Sequence, residues 1–126
     1  MAITLKSDGD VSIIQMDDGK VNVFSPDMIK QFSDILDQVP SDKGSVLIVG
    51  REGMFSAGFD LKVMMSSPEN AAAMVKSGFR LLMKVFTFPR PIVAACSGHA
   101  IALGAFLLCS CDYRLGVKGD FKIGAN

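Results

Sequence analysis

The chain has 126 residues, enough for one modest core that buries roughly two-thirds of the surface exposed by the unfolded chain. Its 13 basic and 13 acidic residues cancel, so the bulk charge draws it toward neither nucleic acid nor an anionic membrane; an anionic ligand has to be held locally. The opening MAITLKSDGD lacks the basic and apolar regions of a signal peptide, and the apolar runs fall short of the ~20 residues of a membrane helix, so a cytoplasmic location is expected.

Ile3-Thr4-Leu5 and Val11-Ser12-Ile13 alternate apolar and polar around Ser7-Asp8-Gly9-Asp10, which predicts a β-hairpin. A helix comes next, with Ser25 as its cap, Pro26 at its first position and Asp27 at the positive end of its dipole. Met28, Phe32, Ile35, Leu36 and Val39 share one face of it, and Pro40 ends it. Ser45 to Gly50 is a short continuous apolar run, the mark of a strand covered on both faces in a parallel sheet.

Arg51 to Asp60 reads as a loop carrying two glycines, leading to a short segment at Leu61 to Met65 that stops before Pro68. The next amphipathic helix is expected to bury Val75, Phe79, Leu82, Met83 and Phe86 and to end before Pro89-Arg90-Pro91. Pro91 to Cys96 repeats the buried-strand pattern, Gly98 to Gly104 reads as a second glycine loop, and a helix then runs to about Cys109. Asp112 to Leu115 and Phe121 to Ile123 are two further short strands. Strand, loop, helix and strand in alternation predict an α/β domain, in which ligands gather at the carboxyl ends of parallel strands. The two glycine loops, Ser56 to Asp60 and Gly98 to Gly104, stand at such ends, where backbone N–H groups can face an anionic ligand without any reactive side chain.

Other side chains have plainer readings. Cys96, Cys109 and Cys111 sit among apolar neighbours, as reduced buried thiols do, and no ligand pair at finger spacing accompanies them, so no metal site is expected. His99 is read as structural, Asp60 as a helix cap or loop anchor, Asp112 as a partner of loop N–H groups or of Arg114, and the methionines as adaptable core packing. Met64 and Met65 also qualify as walls of an acyl tunnel.

Three segments in order resemble one family. Phe55-Ser56-Ala57-Gly58-Phe59-Asp60-Leu61-Lys62 resembles the [F]-[CS]-A-G-x-D-[LI]-K segment of the crotonase (enoyl-CoA hydratase/isomerase) superfamily. Pro89 to Ala95 followed by Gly98-His99-Ala100 resembles its [K/R]-P-x-[IV]-A-A-[IV]-x-G-x-A segment, and Cys111-Asp112-Tyr113-Arg114 resembles its C-D-[YI]-R. The resemblance covers about residues 3 to 126. It implies the N-terminal part of a crotonase-like spiral of ββα repeats: one core domain over 1–126, truncated on its C-terminal side, with a mixed, mostly parallel sheet flanked by helices.

The resemblance further implies an acyl-CoA substrate and no cofactor beyond that coenzyme A thioester. The backbone N–H groups of Phe59 and Leu103 would form an oxyanion hole for the thioester oxygen, with Ser56, Ala57, Gly58, Asp60, Leu61, Ala102, Gly104 and Phe106 around the substrate. Lys62 is a candidate for the CoA phosphates. Ala102-Leu103-Gly104 stands where the family often has three glycines, so β-carbons enter this loop. Phe106 occupies the position of the first of two hydratase glutamates, and Phe121 to Asn126 reaches the residue before the second. An apolar residue at 106, with CDYR and the I-G-x-N form, points to the 3,2-enoyl-CoA isomerases, which shuttle one proton with a single glutamate. A noncatalytic member binding acyl-CoA or even RNA is one alternative, and a hydratase is another. The family resemblance also implies a homotrimer or dimer of trimers for the full-length protein.

Overall fold

The computed structural model describes residues 2–125 and has the mixed α/β architecture expected from the alternation of elements. Strands β1 (Ile3–Asp8) and β2 (Val11–Met16) form the predicted hairpin, with Ile3 opposite Met16 and Asp8 opposite Val11. A two-residue strand β3 (Val23–Phe24) then leads into helix α1 (Pro26–Gln38). Ser25 caps α1 as expected, its hydroxyl accepting from the Met28 N–H at 3.0 Å. The predicted stripe is buried, and Ile29 is buried beside it. Phe24 and Phe32, both fully buried with ring centroids 6.3 Å apart, tie the helix to the core.

From there the chain winds as a spiral. Strand β4 (Ser45–Val49) is followed by β5 (Gly53–Ser56) and β6 (Gly58–Phe59), then by helices α2 (Leu61–Met64) and α3 (Pro68–Phe86). The next turn repeats the scheme with β7 (Ile92–Cys96), β8 (Gly98–Ile101) and helix α4 (Leu103–Ser110), and β9 (Tyr113–Gly116) and β10 (Ile123–Gly124) begin another. Each turn contributes one strand to a five-stranded sheet, β1-β2-β4-β7-β9, and the next to a three-stranded sheet, β10-β8-β5. Only the β1–β2 pair is antiparallel among these; β3 and β6 make a separate parallel pair. No helix among the described residues is long and apolar enough to cross a membrane.

Several expectations need correction. The two segments read as loops at 51–60 and 98–104 contain strands β5, β6 and β8. They escape a periodicity reading because each has four residues or fewer and is opened by a glycine, which weakens a strand signal. Those glycines permit contact between the strands: a β-carbon on Gly98 would lie 2.1 Å from the Gly53 carbonyl carbon.

The face of α3 is also displaced by one residue from the predicted one. Met74, Gly78, Leu81, Leu82 and Val85 are buried, whereas Phe79, Met83 and Phe86 are 47%, 59% and 67% exposed. Both sets recur with helical spacing, and sequence alone does not rank them; the small Gly78 lets other side chains close on this helix. Pro68, expected only as a break, is the first residue of α3, which Ser67 caps by accepting from the Asn70 N–H at 3.0 Å. Cys96 and Cys111 are buried as expected, but Cys109 is exposed, as is Met65. Burial pushes the Cys111 thiol up to about 12, with the Asp112 carboxylate adding to the rise, so it stays protonated.

Candidate active site

Strands β5 and β8 run parallel with Ser56 opposite Ala100, so their carboxyl ends emerge side by side. The segments that leave them are pressed together. A β-carbon on Gly58 would lie 2.6 Å from the Ile101 oxygen and 3.1 Å from the Ala102 β-carbon, and one on Gly104 would lie 2.6 Å from the Ser56 oxygen. The side chains of Phe59 and Leu103 meet the same place on α3, Gly78, whose absent β-carbon would otherwise come within 2.7 and 3.3 Å of them. The structure therefore brings together Ser56, Gly58, Phe59, Ala102, Leu103 and Gly104, residues separated by some forty positions of chain.

Hydrogen bonds hold the first of these segments. Asn22 is fully buried; its amide nitrogen donates to the carbonyls of Met16 and Phe55 at 2.9 and 3.1 Å, and its side-chain oxygen accepts from the Asp18 N–H at 2.9 Å. Its own carbonyl accepts from the fully buried Ser56 hydroxyl at 2.7 Å, and that hydroxyl accepts from the Gly58 N–H at 3.1 Å. The Ala57 and Asp60 N–H groups donate to Val21 and Phe24 carbonyls. Asp60 caps α2 through its carboxylate, which accepts from the Lys62 N–H at 2.9 Å. Because β6 runs parallel to β3 with Phe59 paired to Phe24 and the Asp60 N–H on the Phe24 carbonyl, the Phe59 N–H faces away from β3.

The second segment has no such side-chain support. Helix α4 begins at Leu103 with Ala102 as its cap and no side-chain cap bond. Ala102 has φ 50° and ψ −115°, a conformation glycine fills readily and a β-carbon strains. Its N–H donates to the Gly124 oxygen at 2.8 Å, and its carbonyl accepts from the Phe106 N–H at 3.0 Å to start the helix. The first-turn N–H groups, beginning with that of Leu103, thus lie where helix geometry provides no acceptor within the helix.

Two further predicted residues, Lys62 and Phe106, border separate cavities that share no lining residue. Lys62 is exposed and borders one of about 520 Å³ with Pro26, Val63, Ser66, Met74 and Ser77. Phe106 borders an apolar one of about 420 Å³ with Ala105, Cys109, Leu115 and Ile123, and no carboxylate lines it among the described residues. The Phe106 ring lies over that of Phe79 with centroids 6.1 Å apart. Leu61 is exposed on α2 and Ala57 is half-buried in the turn between β5 and β6. His99 is structural: its Nδ1 accepts from the Lys122 N–H at 3.0 Å and its ring meets the edge of Phe121. Asp112 accepts from the Ile92 N–H at 2.7 Å, while Arg114 donates to the carbonyls of Leu108 and Cys111. Asn126, the end of the I-G-x-N form, lies outside the described residues.

Sequence reasoning missed Asn22 and Gly78. Asn22 bonds to Phe55, far along the chain, and the only local hint was its place after Asp17-Asp18-Gly19, where a left-handed residue is at home; its φ is 52°. Asp18 supports this turn. Burial pushes its carboxyl up, but N–H groups of Asn22, Lys20 and Val23 and the charge of Arg51 together hold it below the ordinary value of 3.8.

Residues 6–119 match the sequence pattern of the enoyl-CoA hydratase/isomerase family. The chain is 32% identical to a probable enoyl-CoA hydratase of Bacillus subtilis, over 98% of this chain and 49% of that protein. It is 37% identical to enoyl-CoA delta isomerase 3 of Arabidopsis thaliana, over 87% of this chain and 49% of the relative. The crystal structure of an enoyl-CoA hydratase/isomerase family protein from Pseudomonas syringae superposes with a TM-score of 0.95 at 46% identity, covering 99% of this chain and 54% of the other. The chain thus spans about half the length of the relatives it matches.

Proposed function

The chain belongs to the enoyl-CoA hydratase/isomerase family, and on that premise we propose that it holds the oxyanion hole of an enoyl-CoA isomerase acting on a 3-enoyl thioester. The observation that carries the reading is the junction of the two segments: the Phe59 N–H turned away from β3 and the uncapped Leu103 N–H stand on segments in contact. In this reading both donate to the thioester oxygen. Removing a proton from the carbon beside the thioester moves charge onto that oxygen, and each preorganised donor there is worth about 100- to 1,000-fold in rate. Only backbone is used, which is why Phe and Leu are acceptable side chains.

The proton itself needs a single carboxylate near the α-carbon, able to take it from the second carbon and return it to the fourth. Phe106 favours isomerisation over hydration, since its ring at the helix position beside the cleft supplies no group to activate water and its stack on Phe79 makes that wall apolar. The base in this reading is the glutamate that the family pattern places directly after Asn126, contributed by the whole protein, for which a trimeric assembly is part of the proposal. The reaction requires no cofactor besides the thioester substrate, and Lys62, exposed beside the oxyanion loop, is assigned to the CoA phosphates. The same apolar position at 106 also favours a second reading, binding of acyl-CoA without turnover.

Calorimetric titration of the chain with acetoacetyl-CoA, whose thioester enolises, and with free CoA tests the oxyanion hole; tighter binding of the thioester by at least tenfold is expected. Equal affinity would sink it. On the whole protein, isomerisation of a 3-enoyl-CoA without hydration of crotonyl-CoA is expected, faster hydration would assign a hydratase, and binding with neither reaction would leave the noncatalytic reading.

A further inference from the structure

The Phe59 N–H can stabilise an oxyanion only if the peptide that carries it is held in one orientation. That peptide comes after Gly58, whose φ of 93° belongs to a region where glycine moves freely, so something else has to restrain it. We propose that Ser56 is a positioning residue for the oxyanion hole, fixing the direction of the Phe59 N–H through the Gly58 N–H and fixed in turn by Asn22.

The links are short, and those of Asn22 and Ser56 are buried. Asp18 accepts N–H bonds from Lys20 at 2.7 Å and Asn22 at 2.9 Å with one carboxylate oxygen, and from Val23 at 3.0 Å with the other. This holds Asn22 in its left-handed conformation, and the Asn22 side chain anchors it to Met16 and Phe55 on both sides. The Asn22 carbonyl then receives the Ser56 hydroxyl proton at 2.7 Å. A hydroxyl whose one proton is committed in this way has its lone pairs left for another donor, and the Gly58 N–H takes that place at 3.1 Å. With the Gly58 N–H on Ser56 and the Asp60 N–H on the Phe24 carbonyl of β3, the Phe59 N–H between them faces away from β3. The second loop has no equivalent of Ser56, because its backbone carries no side-chain cap bond. The assignment of the Phe59 N–H to a thioester oxygen rests on the function proposed above; the restraint of that N–H by Ser56 does not.

Two readouts on Ser56→Ala keep these apart. NMR reads the restraint: exchange of the Gly58 amide, which loses its acceptor, is expected to accelerate about tenfold or more in the folded variant and the Phe59 N–H residual dipolar coupling to depart from its wild-type value, while the amide of Ile48 in β4 keeps its rate. An unchanged Phe59 coupling overturns the proposal, and so does equal acceleration of the Gly58 and Ile48 amides. Titration with acetoacetyl-CoA and CoA reads the consequence: the variant is expected to lose about tenfold for the thioester and nothing for CoA, and equal losses for the two ligands overturn the positioning role. Failure of the wild-type chain to prefer the thioester refutes the enolate reading, and NMR then decides the restraint by itself. Should Ser56→Ala not fold, Ser56→Cys carries the same test, since its longer, weaker acceptor is expected to give a Gly58 exchange rate above wild type and a shifted Phe59 coupling; wild-type values of both would overturn the proposal.

Discussion

The turn after β5 and the turn after β8 leave adjacent strand ends, yet they reach their shapes by different physics. The first is held by polar side chains: Asn22 and Ser56 fill their hydrogen bonds inside the protein, and Asp60 caps helix α2 just beyond. The second has apolar side chains, with Leu103 fully buried and Ala102 in a glycine-like conformation that only its surroundings can enforce. A restraint made of hydrogen bonds is lost when one partner is removed, because the other is left unpaired in the interior. A restraint made of packing tolerates relief of its strain. Substitutions on the two sides should therefore have opposite signs, and the largest effects belong where the two meet.

Gly58→Ala is the largest. It places a β-carbon 2.6 Å from the Ile101 oxygen at a φ of 93°, so both backbone strain and a clash with the second segment apply. A loss of about 3 kcal/mol or more in urea unfolding is expected. A loss below about 1 kcal/mol would mean that the segments part at little cost, and their contact would then not define the site. Asn22→Ala comes next. It strips partners from the Met16 and Phe55 carbonyls and the Asp18 N–H in a buried place, for an expected loss of about 2 to 4 kcal/mol by the same measurement.

How far the comparison could be foreseen depends on the range of the forces. Helix α1 was legible because Ser25, Pro26 and the apolar stripe are local, and β4 and β7 because a continuous apolar run needs cover on both faces. The junction itself showed only as two glycine-bearing motifs. That Gly58 and Gly104 are small because each faces the other segment's backbone depends on β5 pairing with β8, a fact of tertiary structure. The Asn22 clip was invisible for the same reason, and Phe79 was placed in the core because its helix has two apolar faces, one of which turns its ring to Phe106 instead.

On the strained side the sign reverses. Ala102→Gly relieves a β-carbon at φ 50° but adds freedom to the unfolded chain, terms of about 1 kcal/mol each or slightly more. Stability is expected to stay within about 1 kcal/mol of wild type or to rise. A loss above about 2 kcal/mol would show that the Ala102 methyl, placed 3.1 Å from a β-carbon built on Gly58, is itself a packing element of the junction.

The smallest effect concerns the outermost support of the polar side. The Asp18 carboxyl is half-buried, and its neighbours hold it below 3.8 in the folded state. A carboxyl held lower when folded binds its proton more weakly there than when unfolded. Its stabilising contribution is therefore present above the unfolded value and fades as pH falls through that value toward the folded one. Asp18→Asn should accordingly be less stable than wild type at about pH 7, with the gap narrowing below about pH 4, where the wild-type carboxyl becomes neutral. Thermal melts of the two proteins between about pH 3 and pH 7 measure it. If the gap were constant over that range, the charge of Asp18 would contribute nothing and its role would reduce to the shape of the turn; if it narrows, the hydrogen-bonded segment has an acid sensitivity that the packed segment around Ala102 and Leu103, free of ionisable side chains, does not share.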